Sequence, residues 1–299
     1  MGNYSPDLEI FASLNNPVRI EEALARATVI ASTTFRPDQI RSYEKLIARE
    51  IESGARWVLS RVLENARVAE KERIPLCNDT GIPHLFLEIG DEVNLPAGIL
   101  KHFDLGIAEG LRLLPGRPMG VKGDDIQRMT QSEGLFDESE KVFPAPVQIR
   151  RVTGKTVKAT ILMLGGGPEL QGRTQRIFHK HSRDVIVDEM IKWAKEGVFK
   201  LGCTPATLAF GVGRTQVEAS SLSLEAMRYA DFDYSTPLED EITSAVNKSG
   251  VGPLGLGGPN TVLGTFVRVG SQRASGFRVL SLRVGCCYDP RRATVVLTP

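Results

Sequence analysis

Four cysteines stand in three separate turn-rich segments of the 299-residue chain. Cys77 lies in Leu76-Cys-Asn-Asp-Thr-Gly-Ile-Pro83, Cys203 in Lys200-Leu-Gly-Cys-Thr-Pro205, and the pair Cys286-Cys287 in Val284-Gly-Cys-Cys-Tyr-Asp-Pro-Arg-Arg292. Glycine permits positive φ or close backbone approach and proline fixes the path of a turn, so each segment can present a thiol from a rigid loop. With one candidate ligand per loop, a common site has to be assembled by the fold, unlike the local Cys-x-x-Cys pairs of zinc ribbons and ferredoxins. Three thiolates suit a four-iron, four-sulfur cluster whose fourth iron takes no protein ligand and acts as a Lewis acid toward a carboxylate and hydroxyl. The same residues also suit buried structural thiols, a zinc site or a nucleophilic cysteine. A nucleophile needs a basic partner, and His84, His102, His179 and His181 fall in no recognisable arrangement for that role.

Composition narrows the class of protein. The net charge of +1 implies neither a nucleic-acid-binding nor a membrane-binding surface. No apolar run reaches the roughly 18 residues of a membrane span, and the acidic residues among the first thirty exclude a signal-peptide layout. A cytoplasmic location is therefore expected. Four cysteines are too few for the disulfide framework of a secreted protein.

The elements that must position these loops are mixed. Asn15-Asn-Pro17 reads as a turn and 20–27 as a short helix. From Pro37, Ile40, Tyr43, Ile47, Ile51, Ala55, Val58, Val62 and Ala66 recur at three and four positions, an amphipathic helix or a pair broken near Gly54 that carries packing rather than chemistry. Strands are expected over 82–89, 156–164, 261–269, 278–284 and 293–297, and helices over 98–114, after a Ser182 cap, and over 217–229. Thr236-Pro237-Leu238-Glu239 is a capping box with proline at the first helical position, so a helix should run to about Lys248. This order argues for an α/β or α+β domain over 1–299, with mixed sheets, packed helices, convergent glycine-rich loops forming the site, and a helical subregion over 1–75.

Cys77-Asn-Asp-Thr-Gly81 resembles the first cysteine motif of the iron–sulfur hydro-lyases, the family of class I fumarase and tartrate dehydratase. Gly165-Gly-Gly167 with Glu169 is similar to that family's triple-glycine loop, and Gly202-Cys-Thr-Pro205 through Gly213-Arg-Thr215 to its second cysteine segment. Val251-Gly-Pro-Leu-Gly-Leu-Gly-Gly258 and Cys287-Tyr-Asp-Pro-Arg-Arg292 resemble a family glycine loop and the third cysteine with its paired arginines. The five motifs stand in the family's order and cover roughly residues 40 to 295.

The resemblance implies that Cys77, Cys203 and Cys287 ligate a 4Fe-4S cluster, with Cys286 as a neighbour that a one-residue register change would exchange with Cys287. It implies that Asp79 transfers a proton to or from the substrate, where the residues alone allow an Asx-turn acceptor. Asn78 stands where many members carry glutamine, as a substrate-binding amide. The family's Asn-Thr-Gly-Asp-Asn-Thr-Pro stretch is replaced by Leu114-Pro-Gly-Arg-Pro-Met-Gly-Val-Lys-Gly-Asp-Asp125, so the substrate arginine falls to Arg117 or Arg128. Arg214 adds a cation suited to a carboxylate through its planar fork, and Arg273 stands in the neighbourhood of a family histidine. A chain of this length resembles the cluster-binding part of the family's longer polypeptides. That implies a smaller β-type subunit, an α2β2 assembly and hydration or dehydration of a small hydroxycarboxylate such as malate or tartrate. The departures leave open a noncatalytic iron–sulfur interaction subunit.

Overall fold

A computed structural model describes residues 8–299. Part of the sequence reading of the N-terminus falls on residues 1–7, outside the described residues. The elements run β1 (Glu9–Ser13), α1 (Pro17–Thr33), α2 (Pro37–Arg49), α3 (Ser53–Glu72), β2 (Ile82–Gly90), α4 (Ile99–Leu113), α5 (Asp125–Thr130), β3 (Gln148–Val152), β4 (Val157–Leu164), α6 (Gly166–Glu169), β5 (Arg173–Phe178), α7 (Arg183–Leu201), β6 (Ala206–Gly213), α8 (Gln216–Arg228), α9 (Pro237–Asn247), β7 (Val262–Val269), β8 (Phe277–Gly285) and β9 (Arg291–Thr298). The mixed α/β class expected from the sequence is what the chain adopts. No helix among the described residues is long and apolar enough to cross a membrane.

The chain divides into two compact units. One is made of residues 8–35 with Ala66–Leu164 and Arg291–Pro299. Its sheet has the order β1-β9-β4-β2-β3, antiparallel where β4 meets β9 and β2, parallel at both edges. Val157, Ala159, Ile161 and Met163 alternate toward the core with Leu85, Leu87, Ala293, Val295 and Leu297, as the two-residue period of strands requires. Ile20, Leu24, Ala27 and Ala31 of α1 cover them together with Phe103, Ile107 and Leu111 of α4. The two helices approach closely because Gly110 carries no side chain: a Cβ there would lie 2.5 Å from Thr28 Cβ.

The second unit joins Arg36–Asn65 to Gly165–Pro290 around a sheet of order β5-β8-β6-β7. Every residue of the central strand β6 is buried. Trp193 and Val198 of α7 share its core with Ile242 and Val246 of α9. On β6, Gly211 admits α8, since a Cβ would lie 2.1 Å from Ala219 O.

Several sequence expectations change here. The turn read at Asn15-Asn-Pro17 forms, with the Asn16 amide donating to Ser13 O at 3.3 Å, and leads straight into a helix longer than the expected 20–27: Asn16 Oδ1 accepts the Arg19 amide at 3.2 Å and Pro17 occupies the first turn of α1. Ser182 stands at the N-cap of α7 as expected, yet its side chain makes no capping bond. The Thr236 capping box forms as read, with reciprocal bonds to Glu239. The pair of helices expected to break near Gly54 forms as α2 and α3 with Tyr43, Ala55, Val58, Val62 and Ala66 of the stripe buried, but in α2 the buried face is shifted toward polar residues. The buried residues of α2 are Asp38, Gln39, Ser42, Tyr43 and Leu46, whereas Ile51 beyond its end is 74% exposed. That face is turned inward toward the backbone acceptors of residues 287–290.

Candidate functional site

In the second unit the Cys203 and Cys287 segments meet. Gly202 at φ 75° ends α7 and turns the chain into an exposed Cys203, after which Thr204 is buried. The Cys287 amide donates to Cys203 O at 3.0 Å. Thr204 Oγ1 donates to Gly252 O at 2.6 Å and Thr204 O accepts the Leu254 amide at 3.1 Å, so the glycine segment 251–258 is sewn to the residue after Cys203. Gly252 must be glycine, because at φ 68° a Cβ would overlap Gly257 O.

The backbone of 286–290 can be accounted for group by group, as buried polar groups require. The Cys286 amide donates to Asp289 Oδ2 at 2.9 Å and the Asp289 amide to Cys286 O at 3.0 Å. The Tyr288 amide donates to Cys286 Sγ at 3.5 Å. Four consecutive carbonyls are taken by side chains. Tyr43 Oη donates to Cys287 O, Gln39 Nε2 to Tyr288 O at 3.3 Å, Thr207 Oγ1 to Asp289 O at 2.9 Å, and Arg36 Nη1 to Pro290 O at 2.8 Å. Burial, followed by Cys287, pushes the Tyr43 hydroxyl well above its usual value and keeps it a donor. Cys286 and Cys287 are both buried, and all four cysteines are thiols rather than disulfides.

The first unit holds the Cys77 segment, between α3 and β2. Cys77 is half-buried, and its Sγ lies 3.4 Å from Oδ1 of the exposed Asn78. Asp79 is half-buried and Thr80 is 5% exposed. The buried Arg291, first residue of β9, donates from Nη1 to Asp79 O at 2.9 Å and to Thr80 O at 3.0 Å. Gly81, at φ 95°, lets the turn wrap this guanidinium, and a Cβ there would lie 3.0 Å from Nη2. Gly116 packs on the Thr80 side chain, where a Cβ would come within 2.6 Å of Oγ1. The exposed Arg117 therefore follows directly on a contact with the first-cysteine turn.

The remaining candidates are placed elsewhere. Arg128 is bound to Asp125 and to Gly123 O on α5. Arg214 is clasped by Glu218, with Nε at 3.0 Å from Oε2 and Nη2 at 2.8 Å from Oε1, and that bond holds the Glu218 carboxyl below its usual range. Arg273 is exposed, and its carbonyl accepts Arg278 Nη1. Glu169 of the triple-glycine segment forms an ion pair with Arg283. No group of three His, Cys, Asp or Glu side chains among the described residues surrounds a single point as a one-ion site would. A cavity of about 700 Å³ elsewhere in the second unit is lined by Lys45, Arg49, Asp240 and Thr243. Its polar groups are largely spent on one another, Thr243 on Thr265, Asp240 on Ser235 and Asn247 on the Val262 amide.

Sequence reasoning missed Arg36, Gln39, Tyr43, Thr207 and Arg291 as residues that hold the loops. One signal was available: Gln39, Ser42 and Tyr43 are polar-bearing positions three and four apart, which makes a face rather than a scatter.

The profile of the family described as Fumarate hydratase (Fumerase) matches residues 21–296. Among curated proteins, one from Methanocaldococcus jannaschii, assigned provisionally as an L(+)-tartrate dehydratase subunit alpha, is 24% identical over 85% of this chain and 88% of its own length. The L(+)-tartrate dehydratase subunit alpha of Escherichia coli O157:H7 is 23% identical over 93% of this chain and 91% of its own, and that of strain K12 is 22% identical over the same shares.

Proposed function

Because the chain belongs to the fumarate hydratase family, we propose that it is the α-type subunit of a hydro-lyase that adds or removes water across a small hydroxycarboxylate, of the tartrate or malate class. The relatives named as alpha subunits support a smaller β-type partner, and an α2β2 assembly is the arrangement proposed. The alternative of a noncatalytic interaction subunit rests on the altered segment 114–125. Against it stands Gly116 packed on Thr80, which keeps that segment and Arg117 beside the first-cysteine turn.

The single observation that carries the reading is the bond from the Cys287 amide to Cys203 O, which joins two of the motif cysteines in one unit. Cys77, Cys203 and Cys287 are proposed as the ligands of a 4Fe-4S cluster. The ligand set as a whole rests on the motif resemblance, and the loops support it one at a time. All three residues are thiols, and thiolates that each take a different iron need not meet at one point. Cys287 is taken as the third ligand on the motif resemblance, with Cys286, whose sulfur accepts the Tyr288 amide, as its neighbour. When bound, the cluster supplies a Lewis acid toward a substrate carboxylate and hydroxyl.

The chain's own residues do the rest. Asp79 takes or gives the proton at the substrate carbon, from a backbone position that Arg291 holds through Asp79 O and Thr80 O. Asn78 and Arg117 bind the substrate's polar ends, and a residue of the partner serves the opposite face. Arg214 and Arg273 are retained as weaker carboxylate contacts, Arg214 only on leaving Glu218. The test is anaerobic copurification with the β-type subunit followed by a screen of tartrate, malate and related hydroxy-dicarboxylates for loss of water. Activity above a cluster-free control is expected, and none with any of them would support the noncatalytic alternative.

A further inference from the structure

We propose that Tyr43, Gln39 and Arg36, with Thr207, are positioning residues for the third cysteine: a clamp that fixes the Cys287 loop through its carbonyls and so sets how firmly the loop holds its metal group. The inference rests on the reading of Cys287 as a ligand and adds residues that the cysteine motifs themselves do not contain.

Arg36, Gln39, Tyr43 and Thr207 are all 0% exposed, and polar groups so placed are unfavourable unless paired. Their shared partners are the carbonyls of four successive residues, Cys287 to Pro290. Gln39 and Tyr43, four apart, share one face of α2, and Arg36 stands at its N-cap. The face is itself fixed: Arg36 Nη2 is paired with Asp38 at 2.9 Å, and the Arg36 amide donates to Gln39 Oε1 at 3.1 Å. Thr207 approaches from β6, so the loop is gripped from two elements of the same unit.

The consequence for a thiolate is electrostatic as well as mechanical. Carbonyl oxygens turned toward an anionic sulfur oppose its charge, whereas carbonyls committed to donors on α2 and β6 do not. With the amides of 286 to 289 also bonded, the loop has one backbone arrangement and the Cys287 side chain leaves it in one direction. A general packing role for α2 would need apolar side chains on this face, and Gln39 and Arg36 are poor choices for that.

The test uses the full chain purified anaerobically. Tyr43→Phe and Thr207→Val each remove one hydroxyl at nearly constant shape, and Thr160→Val removes one from the buried Thr160–Thr294 pair in the other unit as a control. Amide exchange over 285–290 and the rate of iron release to a chelator are measured. Both are expected to rise about fivefold in Tyr43→Phe and in Thr207→Val, the factor one hydrogen bond of ordinary strength carries, and to stay at the wild-type level in Thr160→Val. Unchanged exchange over 285–290 in both clamp variants, or an equal rise in the control, would overturn the clamp. If Tyr43→Phe does not fold, Thr207→Val decides alone. The exchange readout needs no metal, so a wild-type chain without iron would defeat the cluster reading and leave the clamp still tested.

Discussion

The third-cysteine loop and the first-cysteine turn are built on opposite plans. In the former the carbonyls of 287 to 290 all meet buried side-chain donors and the cysteines are covered. In the latter Cys77 and Asp79 are half-buried, Asn78 is exposed, and a single arginine takes two successive carbonyls. A loop that only has to hold a metal gains from being rigid. Under the proposed roles, the turn that would bring Asp79 to a substrate keeps Asn78 exposed and Asp79 half-buried, with its backbone held by one arginine.

The contrast is broken most sharply by exchanging which loop is damaged. Asp79→Asn keeps size and much of the hydrogen bonding while removing the proton acceptor. In the reconstituted complex it should leave iron content intact and lower turnover by about 10²–10⁴-fold. Cys287→Ala should do the reverse of the first part and lose the iron, with Cys286→Ala losing less. Near-normal turnover in Asp79→Asn would return Asp79 to the role of a turn residue.

A smaller effect is expected from Arg291→Gln. Arg291 is 2% exposed and donates charge-assisted bonds to Asp79 O and Thr80 O, so its loss should cost about 2–3 kcal/mol in denaturant unfolding. Amide exchange should rise over 78–82 and not over 285–290. Equal protection of both segments in the variant would mean that the first turn does not depend on its arginine.

Much of this was legible in the sequence, for identifiable reasons. The Thr236 capping box and the strand of 157–164 are local signals, and the structure has both. The edge strands β1 and β3 were not foreseen, because short strands with mixed burial carry little period. The cysteine loops could be found by their glycines and prolines. Their supports could not, since Tyr43 to Cys287 spans 244 residues and Arg291 to Asp79 spans 212. The stripe from Ile40 to Ala66 is legible in part: Tyr43, Ala55, Val58, Val62 and Ala66 are buried as their spacing implies, whereas Ile51 is exposed and the distant carbonyls bring Gln39 inward beside Tyr43.

The central claim is that the thiol loops hold an iron–sulfur cluster, and the most direct measurement is metal and inorganic sulfide on the anaerobically purified wild-type chain. About four irons and four sulfides per chain are expected for a 4Fe-4S cluster. Stoichiometric zinc with no inorganic sulfide would contradict it.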